Sequence, residues 1–150
     1  LIKDYARRMK RDNITAHVND AKVLDEKLIS SFDAVLCDAP CSGLGVVNDN
    51  PDVKLNRTKD SIIELNNEQI SILKTVSKYV KVGGYLYYST CSVFKSENQD
   101  VCGRFLKENP DFEEEIIESK LPFEKMKRGI SFFPDLSYGA GFYICKFVRK

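Results

Sequence analysis

The chain has 150 residues, enough for one domain with a buried core and too few for two ordinary domains. Its 43% hydrophobic and 30% charged residues are typical of a globular protein, and no apolar run approaches the roughly 18–20 residues that cross a bilayer. The formal net charge of +1 excludes a whole-chain electrostatic argument for nucleic-acid binding, so a polyanion would have to bind a local basic patch.

The first half of the chain predicts one helix and two strands. Apolar and small residues recur at helical spacing from Ile2 to Met9 and predict a helix. β-branched residues predict a strand over residues 14–18, and a nearly continuous apolar run predicts a second strand over residues 32–37. Such a run is typical of a strand covered on both faces, as in a parallel sheet.

The second half predicts alternating helices and strands. A helix is predicted over residues 61–80, with a Ser61–Glu64 capping box at its start and Gly83-Gly84 at its end. A strand over 85–89 and a helix from about Ser96 to Asn109 follow. The remaining chain predicts a weaker strand in DFEEEII, a loop over 120–141 and a terminal strand over 141–148. Strands and helices that alternate in this way predict an α/β fold with a mainly parallel sheet.

Polar and nucleophilic side chains follow three of the predicted strands directly. Asp20 follows the first, Asp38 to Cys41 follow the second, and Thr90 to Ser92 follow the third. The carboxyl ends of parallel strands meet at one edge of a sheet, where ligands bind. We therefore expect these residues to share an active-site edge.

Several other sites fit the sequence poorly. Cys37, Cys102 and Cys145 lie in apolar patterns, where a free cysteine acts as a small buried hydrophobe. A metal site lacks the usual ligand spacing, and His17 is the only histidine, inside a predicted strand, so neither zinc nor a Cys–His dyad is expected. A phosphate-binding glycine loop and a Cys-x-x-Cys redox pair are absent from the sequence. Five cysteines without framework spacing predict free thiols in a reducing compartment.

A thiol and a carboxyl group at one sheet edge suit addition to C6 of a cytosine ring. The sulfur adds to C6, the acid binds the N3/N4 edge, and C5 becomes nucleophilic enough to take a methyl group. A cysteine with an ordinary pKa near 8.5 is mostly protonated at neutral pH and needs local activation for this role. The residues alone do not select this reaction over others.

Several segments together resemble one family. DAPCSG at residues 38–43 and YSTCS at 88–92 resemble the two signature segments of the NOP/Sun (RsmB-like) RNA cytosine-5 methyltransferases. NPDVK at 50–54, the long segment at 80–98 and YGAGFYICKF at 138–147 are also similar to that family. The resemblance implies a Rossmann-like sheet, S-adenosylmethionine as cofactor and RNA as substrate. Ribosomal RNA is expected for a bacterial member, with transfer RNA as the alternative.

The resemblance also implies individual roles. Cys91 corresponds to the nucleophile that bonds to C6, and Cys41 corresponds to the second cysteine, which helps release the methylated RNA. Asp38 corresponds to the acid at the cytosine edge and faces the cofactor, and Pro40 shapes that turn. Asp20 corresponds to the acid that contacts the adenine end of S-adenosylmethionine.

Two other interpretations remain open at this point. A DNA cytosine-5 methyltransferase would use a Pro-Cys nucleophile like Cys41, although the additional Thr90-Cys91 segment favours RNA. A non-catalytic RNA-binding or assembly module could keep the same fold. Lys54 and Arg57 flank the predicted loop after Cys41. Whether the protein methylates RNA or only binds it, we expect these two residues to contact phosphate and Thr90 to lie beside the substrate.

The family's glycine-rich cofactor loop and ribose-binding acid would precede Leu1. We therefore expect residues 1–150 to be the C-terminal portion of a methyltransferase domain, inactive as an isolated piece. We also expect self-association through an exposed edge at residues 32–37. A bacterial source would place the protein in the cytoplasm, and a eukaryotic source in the nucleolus.

Overall fold

The computed structural model describes residues 1–137 and 139–150 and shows a six-stranded mixed sheet with helices. The strands are β1 (Phe32–Asp38), β2 (Val80–Thr90), β3 (Phe112–Glu115), β4 (Glu124–Lys125), β5 (Ile130–Phe132) and β6 (Phe142–Arg149). The α-helices are α1 (Ile2–Arg8), α2 (Lys59–Ser77), α3 (Gln99–Glu108) and α4 (Pro134–Ser137), and short 3-10 turns span Glu26–Leu28, Leu44–Val46, Pro51–Asn56 and Lys95–Glu97. No helix among the described residues is long and apolar enough to span a bilayer.

The sheet order is β1-β2-β6-β5-β4, and β3 pairs with β6 as well. β1 and β2 are parallel neighbours joined by the crossover helix α2, and their pairing ends with Asp38 opposite Ser89. The other described pairs are antiparallel, so the α/β fold is confirmed but the expectation of a mainly parallel sheet was wrong. A parallel pair needs a long crossover, and the chain after β2 returns to the sheet mostly through short connections.

The core lies between one face of the sheet and the helices α2 and α3. Its fully buried members include Leu73, Val80, Leu86, Tyr88, Phe105, Tyr143 and Phe147. β1 is the outermost strand of the sheet order, as expected, but it is not covered on both faces. The face of β1 that carries Cys37 is buried. No described residue covers the face that carries Leu36, so Leu36 is 66% exposed.

Two glycines that were expected to end a helix lie inside β2 instead. Helix α2 ends at Ser77, and Gly83 adopts a φ of +79°. The pairing of β1 with β2 is irregular here, since Phe32 faces Val80 whereas Ala34 faces Tyr85. A bulge of this kind needs positive φ, which glycine adopts without strain.

The helix starts also differ from the sequence expectation. The capping box of α2 is formed by Thr58 and Ser61, whose side chains each accept from the other's backbone N–H, and not by Ser61 and Glu64. Helix α3 begins at Gln99 rather than near Ser96, because the 3-10 turn Lys95–Glu97 turns Glu97 into the core.

Residues 14–18 form no strand, so this prediction was wrong. β-branched residues favour a strand only when a neighbour pairs with their backbone, and no described strand lies beside them. Val18 is fully exposed. The expected loop over residues 120–141 contains β4, β5 and α4, while Tyr138, the first residue of the YGAGFYICKF segment, lies outside the described residues.

Candidate active site

The two cysteine turns meet at the carboxyl ends of β1 and β2. Cys41 and Cys91 are half-buried and free, and their sulfur atoms lie 3.2 Å apart, although the residues are 50 positions apart in sequence. The first turn is tied to the second strand by the backbone of Ala39, which donates to the Ser89 carbonyl at 3.0 Å. The convergence expected from the strand ends is therefore present for both thiols.

Asp38 shares this edge and is exposed to solvent. The hydroxyl of Ser89 donates to its Oδ1 at 2.8 Å, which fixes one carboxylate oxygen and leaves the other open. The backbone carbonyl of Pro40 accepts from the Gln69 side chain at 2.9 Å, so the Asp-Ala-Pro-Cys turn is also held from α2. The edge thus carries a carboxylate next to a pair of thiols.

The environment of Cys41 favours its neutral thiol. Burial, reinforced by the hydrogen bond to Cys91, raises the pKa of the Cys41 thiol to about 12. Cys41 is therefore a neutral S–H group at physiological pH, and its proton can be donated to the sulfur of Cys91.

A buried carboxylate that the sequence did not reveal lies behind the two turns. Glu97 is fully buried, and its carboxylate accepts hydrogen bonds from Ser42, Ser92 and Gln69. Ser42 follows Cys41 and Ser92 follows Cys91 directly, so both Cys-Ser pairs converge on one side chain. The repeated Cys-Ser dipeptide is the one signal in the sequence that could have pointed to it.

Thr90 was expected beside the substrate, but its side chain is fully buried. Its hydroxyl donates to Asn98 Oδ1 at 2.6 Å, and Asn98 Nδ2 in turn donates to the Ser92 carbonyl at 2.9 Å. This geometry makes Thr90 a support for the turn that carries Cys91.

Arg57 contacts the backbone of the first cysteine turn. Its Nε donates to the Ser42 carbonyl at 2.9 Å, and its Nη2 lies 3.5 Å from the Cys41 carbonyl. A surface cavity of about 340 Å³ lies next to it. That cavity is lined by Leu44, Lys54, Arg57, Thr58, Lys59, Ile62 and Phe94, so cations and an exposed aromatic ring border the site.

Asp20 lies in a local turn. Its carboxylate accepts from the backbone N–H of Lys22 at 2.9 Å, and the Lys22 side chain pairs with Glu68 of α2. The strand-end argument that joined Asp20 to the other residues fails, because residues 14–18 form no strand.

The remaining cysteines are buried, as their apolar surroundings predicted. Burial raises the pKa of the Cys37 thiol to about 12 and also raises the pKa of Cys145, where the larger cause is a hydrogen bond with Cys102. Within residues 1–137 and 139–150, no group of three His, Cys, Asp or Glu side chains is arranged to hold a metal ion.

Known proteins match the chain closely. The family described as 16S rRNA methyltransferase RsmB/F matches residues 1–148. The chain is 38% identical over 157 residues to the probable ribosomal RNA small subunit methyltransferase B of Bacillus subtilis, covering 100% of this chain and 35% of that protein. It is 40% identical over 121 residues to ribosomal RNA small subunit methyltransferase B of Erwinia tasmaniensis, covering 81% of this chain and 27% of that protein.

Solved structures match the same fold. NSun6 from Pyrococcus horikoshii, solved with SFG, superimposes with a TM-score of 0.82 at 26% identity and covers 99% of this chain and 38% of its own. A methyltransferase homolog protein from Pyrococcus horikoshii gives 0.79 at 25% identity, with 99% and 48% covered. The chain spans about a third of the length of the curated relatives it matches.

Proposed function

Because the chain belongs to the RsmB/F family of 16S rRNA methyltransferases, we propose that the protein methylates C5 of a cytosine in ribosomal RNA through a covalent cysteine–C6 adduct. The observation that carries this proposal is the pair of sulfur atoms of Cys41 and Cys91 at 3.2 Å, beside Asp38 on the same edge. We propose further that residues 1–150 form the C-terminal portion of the catalytic domain, that the isolated piece is inactive, and that the protein acts in the cytoplasm of a bacterium.

The chemistry begins with the sulfur of Cys91. Its thiolate forms a bond to C6, and the electrons of the C5–C6 double bond move toward C5 and the N3 side of the ring. A proton on Asp38, donated in a hydrogen bond to the N3/N4 edge of the ring, stabilises that charge. After methylation, a base removes the C5 proton, the C5–C6 double bond reforms and the sulfur leaves C6 as a thiolate.

S-adenosylmethionine supplies the electrophilic methyl group to C5 when it is bound. Its use is supported by the family and by NSun6, which was solved with SFG, a S-adenosylmethionine analogue. Asp38 is exposed at the carboxyl end of the outermost strand, which fits a cofactor on that side. We propose that Asp38 and Pro40 face the cofactor and that Asp20 binds its adenine end.

Cys41 assists both the attack and the release. As a neutral thiol it donates a hydrogen bond toward Cys91, and such a bond stabilises negative charge on the Cys91 sulfur before attack. The same donor stabilises that sulfur again as it leaves C6. Removing Cys41 should therefore slow release and leave protein bound to RNA.

The substrate contacts follow from the basic residues beside the first turn. Arg57 is held on the Ser42 carbonyl, and we propose that Lys54 and Arg57 bind phosphates flanking the target cytosine. Phe94, 40% exposed in the same cavity, offers a face on which a neighbouring base can stack. Taking a base out of a stack costs a few kcal/mol, so a single-stranded or opened site is expected.

The test uses the full-length protein and unmodified ribosomal RNA. Cys91→Ala should abolish both methyl transfer and adducts that survive denaturing electrophoresis, whereas Cys41→Ala should accumulate the adduct. Cys102→Ala serves as a control, since Cys102 is a buried cysteine of α3 outside the site. An adduct that requires Cys41 and survives loss of Cys91 would reverse the roles, as in a DNA-type enzyme. RNA binding without methyl transfer would favour the non-catalytic module.

A further inference from the structure

We propose that Glu97 is a positioning residue that sets the distance between the two sulfur atoms by binding the residue after each cysteine. Its Oε2 accepts from the Ser42 hydroxyl at 2.6 Å and from the Ser92 hydroxyl at 2.5 Å. Its Oε1 accepts from the Ser42 backbone N–H at 2.8 Å and from Gln69 Nε2 at 3.1 Å. One carboxylate therefore joins the two Cys-Ser pairs to each other.

Strand pairing alone does not fix the sulfur atoms. The paired register of β1 and β2 ends with Asp38 opposite Ser89. Cys41 lies three residues beyond that last pair and Cys91 two residues beyond it, where backbone conformation is set by local contacts. Glu97 supplies such contacts immediately after each cysteine, and Gly45 adds one more by donating to the Cys91 carbonyl at 2.9 Å.

Glu97 is itself anchored to the core. The phenol of the fully buried Tyr88 donates to the Glu97 backbone carbonyl at 2.6 Å. Gln69 of α2 connects the Glu97 carboxylate with the Pro40 carbonyl. A buried carboxylate is costly unless its hydrogen bonds are satisfied, and here four donors satisfy it. The Ser42 and Ser92 hydroxyls also lie 3.1 Å apart, so the carboxylate and the two hydroxyls form one connected network between the turns.

The sulfur distance can be measured without RNA. In glutathione buffers, one cysteine thiolate attacks oxidised glutathione and releases one reduced glutathione. The second cysteine thiolate then displaces another reduced glutathione and closes the Cys41–Cys91 disulfide. The equilibrium constant between glutathione and the Cys41–Cys91 disulfide gives the effective concentration of one of these thiols near the other. The measurement uses the full-length protein with Cys37, Cys102 and Cys145 unchanged.

Glu97→Ala should lower this effective concentration by roughly 10-fold to 100-fold, because hydrogen bonds to a charged group are lost on both turns. The effective concentration in Glu97→Gln should fall between those of Glu97→Ala and the parent protein. Its amide keeps one acceptor oxygen but turns an N–H group toward the existing donors. The matched control is Asn109→Ala, which removes the hydrogen bond from another buried polar side chain to the Phe105 carbonyl and touches neither turn. It should lose stability without losing effective concentration.

Folded Glu97→Ala and Glu97→Gln proteins with the parent's effective concentration would overturn the proposal. If both variants fail to fold, Ser42→Ala and Ser92→Ala each remove one hydroxyl from the network. A fall in both serine variants, absent in Asn109→Ala, supports the role of Glu97, and an unchanged value in both refutes it.

The catalytic meaning of this role rests on the proposed function, and the two can fail separately. With RNA, Glu97→Gln should increase the fraction of trapped adduct relative to product, because a displaced Cys41 no longer assists release. If the parent protein forms no adduct at all while the thiol measurement still responds to Glu97, the methyltransferase mechanism fails and the positioning role stands.

Discussion

Gly45 lies in close contact with two other backbone segments, one at Cys91 and one at Gly141. A Cβ atom at this position would lie 2.4 Å from the Gly141 carbonyl oxygen and 2.7 Å from the Cys91 carbonyl oxygen. Both neighbours are backbone atoms, so no side-chain rotation can relieve the overlap. Gly45→Ala must therefore push the Cys91 turn away from the Cys41 turn by several tenths of an ångström.

The cost of this substitution follows from the contacts. Overpacking of this kind costs about 1–3 kcal/mol. The displacement also strains the hydrogen bonds from Gly45 N–H to Cys91 at 2.9 Å and from Gly141 N–H to Gly45 at 2.7 Å, each worth about 1 kcal/mol. We expect Gly45→Ala to lower the free energy of unfolding by roughly 2–4 kcal/mol in total, measured by urea denaturation, and to reduce adduct formation.

Gly103→Ala is the matched control, and it should raise the free energy of unfolding where Gly45→Ala lowers it. Gly103 lies within α3, and a Cβ there meets no heavy atom within 4 Å. Alanine is the better helix former, so this variant should gain about 0.5–1 kcal/mol. If Gly45→Ala unfolds at the same urea concentration as the parent and keeps its adduct yield, the close approach of the two turns is not what holds the site.

Three further predictions concern stability, RNA affinity and association. The raised pKa of Cys37, about 12 against an ordinary 9.0, means that the unfolded chain loses this proton first. Cys37 should therefore contribute a fall of up to about 4 kcal/mol in the free energy of unfolding between pH 9 and 12, in addition to the falls from Cys41 and Cys145. Cys37→Ala should remove that contribution, measured by pH-dependent denaturation. Arg57→Ala should reduce the salt dependence of RNA binding by about one unit in the slope of log affinity against log salt concentration, measured by filter binding. Arg57→Lys keeps the charge and should keep the slope. Equal slopes in the parent and both variants would exclude a phosphate contact by Arg57. Leu36→Lys should reduce self-association of the 150-residue chain in analytical ultracentrifugation, because a charge on an outermost strand opposes edge pairing; an unchanged distribution of masses would contradict association through β1.

The sequence was sufficient to place the two thiols and one acid. The segment before Cys41 and the segment before Cys91 both predict strands, and parallel neighbours joined by a helix must end at the same edge. Asp38 follows from the same rule, since it is the last paired residue of β1. Asp20 does not, because a β-branched segment at residues 14–18 has propensity for a strand but no described partner to pair with.

Glu97 was missed for a different physical reason. The spacing of Ser96 and Gln99 matches a capping box and predicts a helix start near Ser96, with Glu97 on its exposed first turn. In the structure Glu97 is turned inward by hydrogen bonds to Ser42, 55 positions away. Contacts between such distant residues leave no periodic signature, whereas helices and strands do.

The buried environment of Cys41 counts against Cys41 as the nucleophile, because burial raises the pKa of its thiol. Both cysteines follow parallel strands and both precede a serine, so residue type alone gives no reason to prefer one. With its pKa raised to about 12, Cys41 is a neutral thiol at pH 7 and only rarely a thiolate. A DNA-type attack by Cys41 would start from that scarce species, whereas attack by Cys91 uses the neutral Cys41 as its hydrogen-bond donor.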